Sequence, residues 1–159
     1  MRYLVFMVVV FTSVSVSAQV TDGSGMTEEV GIVTIDPPNI ARPNRYAMGK
    51  LAPKGAEVLI TGGQVGSNKD GIYAKGIEAQ ADLAFKNLYE VVRAAGMDSA
   101  NVMKINLFYL EREHIGVIMA ARNRYFGADF RPAQTALVVK SLAGPQILVE
   151  VEAIAAKID

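Results

Sequence analysis

Hydrophobic and polar positions change period several times along the chain, and each change marks an element. Residues 3–11 are unbroken apolar, with only Arg2 charged before Asp22. Gln19 to Glu29 is polar, glycine-containing and without periodicity, so a flexible leader is expected there. Gly31-Ile32-Val33-Thr34-Ile35 is a short β-branched run stopped by Asp36-Pro37-Pro38, which predicts a first strand. Tyr46–Lys50 and Glu57–Thr61 predict two more, followed by a glycine-studded loop over residues 62–71. From Ile77 to Ala95 the spacing turns helical, with Ala84, Leu88, Val91, Val92 and Ala95 on one face and Gly96 as the stop. Val102–Leu110 alternates as a strand, while Ile115, Ile118, Met119, Tyr125 and Phe126 mark a second helix ending before Gly127. Thr135–Val139 and Ile147–Ala155 predict the last two strands, the latter with Val149, Val151, Ala153 and Ala155 on one face. The order β-β-β-α-β-α-β-β is that of an α+β domain, with two helices packed on one face of a single sheet. The other face carries Leu148, Glu150, Glu152 and Ile154, and a half-apolar exposed face of this kind invites self-association.

The N-terminal pattern bears on localisation. Residues 1–18 carry one Arg, an apolar run and a small-residue ending at Val16-Ser17-Ala18, and read as a cleaved secretory signal rather than an anchor. The domain assignment is therefore a signal peptide over 1–18, a leader over 19–29 and one domain over 30–159. The expected location is periplasmic or secreted, with no stable membrane association once the signal is removed. Removing residues 1–18 leaves 15 basic against 16 acidic side chains. That balance speaks against a nucleic-acid partner, which would need a basic face.

Composition narrows the chemistry. The 159 residues include no Cys and one His, which removes thiolate nucleophiles, disulfides and Cys- or multi-His metal sites. Gly62-Gly63 with Gly66 is no phosphate loop, since no Lys-Ser/Thr follows. Glu111-Arg112-Glu113-His114 reads as a solvated turn. Arg122 and Arg124 read as surface or subunit contacts on the second helix.

Several segments, taken in order, resemble the Rid (reactive intermediate deaminase, YjgF-like) family. They are Tyr46; Ile60-Thr61-Gly62-Gly63-Gln64; Ala79-Gln80-Ala81; Asn87 with Val91-Val92-Arg93-Ala94-Ala95-Gly96-Met97; Pro132-Ala133-Gln134-Thr135; and Leu148–Ala155. The resemblance covers about Ile32 to Ala155. It implies a chorismate-mutase-like fold with a single mixed sheet, assembled as a homotrimer with ligand clefts between subunits. Active members hydrolyse imines and enamines derived from amino acids to oxo acids and ammonia, without metal or organic cofactor. None is expected here.

The resemblance also assigns residues. The family's water-orienting glutamate falls on Glu150, which is expected to be catalytic, with Glu152 structural. Its ligand-contacting positions fall on Tyr46, Gly62 and Gly63. Tyr46 fits a core position equally well, and Gly62 stands where deaminases usually carry Ser. The family's carboxylate-binding arginine directly follows the Pro-Ala pair, and this chain has Gln134 there. A neutral amide loses the charge-assisted grip, a difference of about 1 kcal/mol or more. Arg45 is the expected stand-in cation; Arg131, at an odd offset from Gln134, should face away. Three functions remain open: an imine hydrolase of altered specificity, a non-catalytic small-molecule-binding trimer using the same cleft, and a structural or chaperone-like trimer.

Overall fold

The computed structural model describes residues 26–41 and 43–158. Residues 1–25 lie outside it, and with them the expected signal peptide and most of the leader. The strands are β1 (Met26–Glu29), β2 (Ile32–Ile35), β3 (Gly49–Leu51), β4 (Glu57–Ile60), β5 (Gln64–Val65), β6 (Val102–Tyr109), β7 (Ala133–Val138) and β8 (Val149–Lys157). The helices are α1 (Ile77–Ala94), between β5 and β6, and α2 (Ile115–Phe126), between β6 and β7.

A mixed five-stranded sheet forms the body. Its order is β4-β8-β6-β7, with β5 also paired to β8, and all pairings are antiparallel except β6 with β7. The three N-terminal strands make an antiparallel ribbon, β1-β2-β3. A parallel bridge from Ala47 to Ala133 ties that ribbon's connection to the edge of β7. The fold is thus the expected mixed-sheet α+β architecture, with its N-terminal strands set apart as a second layer of pairing.

Both helices cover one face of the large sheet. Ile105 and Leu107 of β6 and Val149, Val151, Ala153 and Ala155 of β8 are buried against Ala84, Phe85, Leu88 and Val92 of α1 and Ile118 and Ala121 of α2. Each large apolar side chain withdrawn from water in this way contributes about 1.5–3 kcal/mol. Phe126 stacks on Phe130 at 4.9 Å and meets Phe85 edge-on, so the chain leaving α2 is packed as well. Gly96 takes φ 68°, and the bonds Met97 N to Val92 O and Gly96 N to Arg93 O close a Schellman turn at the expected stop. No helix among the described residues is long and apolar enough to cross a membrane.

Two local readings need correction. Met26–Glu29, the end of the segment read as leader, is a strand paired with β2 through a two-residue turn at Val30-Gly31. Its side chains are largely exposed and polar, so backbone pairing rather than a buried face defines it. The strand expected over Tyr46–Lys50 begins only at Gly49. Before it, Ala47 N bonds Pro132 O, which commits that stretch to the edge of β7.

Candidate functional site

β8 fixes the position of Glu150. Because Val149 and Val151 point into the core, Glu150 and Glu152 project from the helix-free face. Glu152 accepts a 2.7 Å hydrogen bond from Asn106 of β6, a cross-strand tie. Among the described residues, Glu150 has no side-chain hydrogen bond or ion pair. Its register partner on β5 is Val65, and its side chain leans over the glycine pair that precedes β5. Thr61 exchanges two bonds with Ala153, one from its backbone N (3.0 Å) and one to its Oγ1 (2.9 Å), and Gln64 pairs with Val151. Gly62 and Gly63 therefore stand opposite Glu152 alone, a β-bulge between β4 and β5. The bulge brings Gly63 so close that a Cβ there would lie 1.7 Å from Glu150 Oε1. Gly63 thus both forms part of the bulge and lies directly under the Glu150 carboxylate. Gly62 is exposed, with open space where a Cβ would stand.

Gln134 lies elsewhere. In the parallel β6–β7 pair it stands beside Ile105, whose side chain is in the helix-facing core. Its own side chain turns toward α2, where Oε1 accepts a 3.0 Å hydrogen bond from Arg122 Nη1 and Nε2 approaches Met119 Sδ at 3.9 Å. Glu150 and Gln134 of one chain are therefore on opposite faces of the sheet. A single protomer does not bring them together.

The remaining candidates gather beside Gln134. Arg131 Nη2 donates to the carbonyls of Pro43 (3.2 Å) and Tyr46 (3.0 Å) and pairs with Asp36 at 3.4 Å. Asp36 in turn accepts from Met48 N at 2.8 Å, so the 43–48 segment is clamped at both ends. The clamp holds Tyr46, which is half-buried, and Arg45, which is exposed, alongside α2. Between them opens a cleft of about 670 Å3, lined among others by Arg45, Arg122, Arg131, Met119 and Phe130. Arg131 precedes β7, so strand alternation does not turn it away as its offset suggested; its bonds to Asp36 and two carbonyls engage it instead.

Arg122 is the residue that sequence reasoning missed. It is only 3% exposed, not the surface contact expected. Nε and Nη2 both donate to Asn123 Oδ1, Nη1 reaches the Arg45 carbonyl at 3.4 Å as well as Gln134, and the guanidinium sits 5.6 Å from the Phe130 ring centre. Burial, and then the charge of Arg45, lower its pKa from the usual arginine value. The signal was available: Arg122 lies four residues from Ile118, three from Met119 and four from Phe126, on the apolar stripe itself. Arg124, by contrast, is exposed and pairs with Asp82 of α1 at 2.7 Å.

Comparison with known proteins agrees with this architecture. The profile of the endoribonuclease L-PSP family matches residues 40–157. The RutC family protein YjgH of Escherichia coli is 30% identical over 120 residues, covering 75% of this chain and 89% of that protein. The human 2-iminobutanoate/2-iminopropanoate deaminase is 30% identical over 117 residues, covering 69% and 83% of the two chains. Among solved structures, the Rid-family protein YyfB from Yersinia pestis, itself of unknown function, superposes with a TM-score of 0.70 at 25% identity, over 79% of this chain and 98% of that one.

Proposed function

The chain belongs to the Rid family, the endoribonuclease L-PSP family of the matching profile, and on that membership we propose that it is an exported, cofactor-free imine and enamine hydrolase of altered specificity. The observation that carries the reading is Glu150: a carboxylate on the helix-free face, seated against Gly63, with no partner among the described residues to occupy it. A carboxylate so placed can orient a water and accept its proton as the oxygen adds to the imine carbon. The imine nitrogen gains a proton, the carbinolamine collapses, and imine plus water becomes oxo compound plus ammonia. Tyr46, Gln134, Gly62, Gly63 and Arg45 frame the ligand in this proposal. Since Glu150 and Gln134 of one chain face apart, the cleft is composed from two copies, in a homotrimer. Exposed Val58 and Ile60 on the Glu150 face, the latter 74% accessible, support such packing.

The neutral Gln134 favours one second reading, a trimer that binds small acids in the same cleft without turnover. Ammonia release from freshly generated 2-iminobutanoate separates the two. The enzyme reading expects release that Glu150→Ala abolishes. Equal release by wild type and variant, or none above the uncatalysed rate, overturns it. Export is tested by N-terminal sequencing of protein recovered outside the cytoplasm, with Gln19 expected as the first residue.

A further inference from the structure

Arg122 is a buried cation whose acceptors among the described residues are all neutral: the Asn123 amide, the Arg45 carbonyl and the Gln134 amide. No carboxylate pairs with it among the described residues, although an uncompensated buried charge is costly. The guanidinium carries five N–H donors, and these contacts engage four, one of them only at 3.4 Å. A second observation concerns a residue of the same lining. Arg131 Nε is buried without a hydrogen-bond partner among the described residues, even though the Nη2 of the same side chain is fully engaged. Arg45 adds a third positive group, against one acidic side chain on the lining, the exposed Asp129. Met119 and Phe130 supply apolar wall beside the charges. The cleft is cationic, half-apolar and furnished with unused planar donors.

We infer that Arg122 is the carboxylate-binding residue of this chain, that Gln134 is a positioning residue which aims its guanidinium through Oε1, and that the ligand is a small aliphatic carboxylate. The cation has moved from the strand to the helix facing it, and the strand position keeps the hydrogen bond that orients it. An incoming carboxylate displaces the long contact to the Arg45 carbonyl and takes the remaining donor. The inference deepens the proposed function, since the acid it names would be the imino acid hydrolysed with Glu150 of a second copy. The carboxylate preference itself rests on the cleft alone.

Isothermal titration of the full chain with 2-oxobutanoate, its uncharged amide and inorganic phosphate tests it. The wild type is expected to bind the acid at least about tenfold more tightly than the amide, and more tightly than phosphate. Gln134→Glu, nearly isosteric, places a carboxylate on Arg122. It should weaken the acid about tenfold or more and the amide markedly less, with the melting temperature undiminished. Arg122→Lys keeps the charge but loses the planar fork, and should lower acid affinity in the same way should Gln134→Glu not fold. Equal binding of acid and amide by the wild type, a preference for phosphate, or undiminished acid binding in the folded variants overturns the inference. Ammonia release is scored separately. Acid binding that depends on Arg122 in a chain releasing no ammonia removes the enzyme reading and leaves this one standing, whereas turnover with unchanged acid binding in Gln134→Glu does the reverse.

Discussion

The Glu150 carboxylate occupies the space that a Cβ on Gly63 would need, 1.7 Å from Oε1 and 2.6 Å from the carboxyl carbon. The three nearest atoms all belong to the Glu150 side chain. Gly63→Ala should therefore leave the bulge intact and push Glu150 out of its seat. We expect melting within a few degrees of wild type, and ammonia release reduced to the level of Glu150→Gln. Full turnover by Gly63→Ala would show that the seat does not matter.

Gly66 meets backbone instead. A Cβ there would come 2.4 Å from Gln80 Cα and 2.5 Å from its carbonyl oxygen, in the first turns of α1. Gly66→Ala must separate β5 from α1, at a cost of roughly 1–3 kcal/mol or more. Gln80 itself binds the Ala74 and Gln146 carbonyls through Nε2 and receives Leu148 N on Oε1. Gln80→Leu would strand those three backbone groups, for a similar loss of about 2 kcal/mol. Urea unfolding of both variants, against Gly62→Ala as a neutral control, checks the pair.

These glycines show how far the sequence could be read. The alternation of Val149, Val151, Ala153 and Ala155 against Glu150, Glu152 and Ile154 placed β8 correctly, because strand faces follow from a period of two. Gly96 marked the end of α1 because little else adopts a left-handed turn so cheaply. What a neighbouring strand decides could not be read. The β6–β7 register sets Gln134 beside Ile105 and so on the helix side, away from Glu150, and no spacing within either strand contains that information. Met26–Glu29 was illegible for a related reason, since its partner β2 makes it a strand. Arg122 was misread by residue type: its spacing put it on the buried stripe, and its charge suggested solvent.

The β1–β2 turn stores a local conflict. Val30 and Gly31 both have positive φ, 46° and 77°, as a two-residue type I′ connection requires, but Val30 is β-branched. Asn tolerates that conformation far better. Val30→Asn should stabilise the hairpin by about 0.5–1 kcal/mol, read as slower amide exchange in β1 and β2. Faster exchange there would contradict the turn assignment.

Tyr125 links the helices through Asp82, its hydroxyl 3.1 Å from the carboxylate that also binds Arg124. Partial burial, then the hydrogen bond and charge of Asp82, raise its pKa above the usual tyrosine value, with Arg124 opposing. The folded chain thus holds the Tyr125 proton more tightly than the unfolded chain does. Its contribution to stability is fully present below pH 10 and is lost as pH rises through the raised pKa. Tyr125→Phe should flatten the decline in melting temperature above pH 10, leaving neutral behaviour changed only by the lost hydrogen bond. An identical alkaline decline in the variant would assign it to other groups.

An arginine at position 134, where the resemblance would put one, carries a specific structural expectation. Gln134 Oε1 is 3.0 Å from Arg122 Nη1, so Gln134→Arg alone would set two guanidinium groups against each other beneath α2. Neither has an acidic partner there among the described residues, and the contact replaces a charge-assisted hydrogen bond with repulsion. The single variant should lose about 2 kcal/mol or more and gain little affinity for acids. Exchanging the two residues, Arg122→Gln with Gln134→Arg, keeps one cation, one amide and their hydrogen bond while reversing which element carries the charge. Melting should then recover most of the loss, and 2-oxobutanoate affinity should return to within about tenfold of wild type. If Gln134→Arg alone is as stable as the exchanged pair, the two side chains are not coupled, and the cation of this cleft did not move from strand to helix.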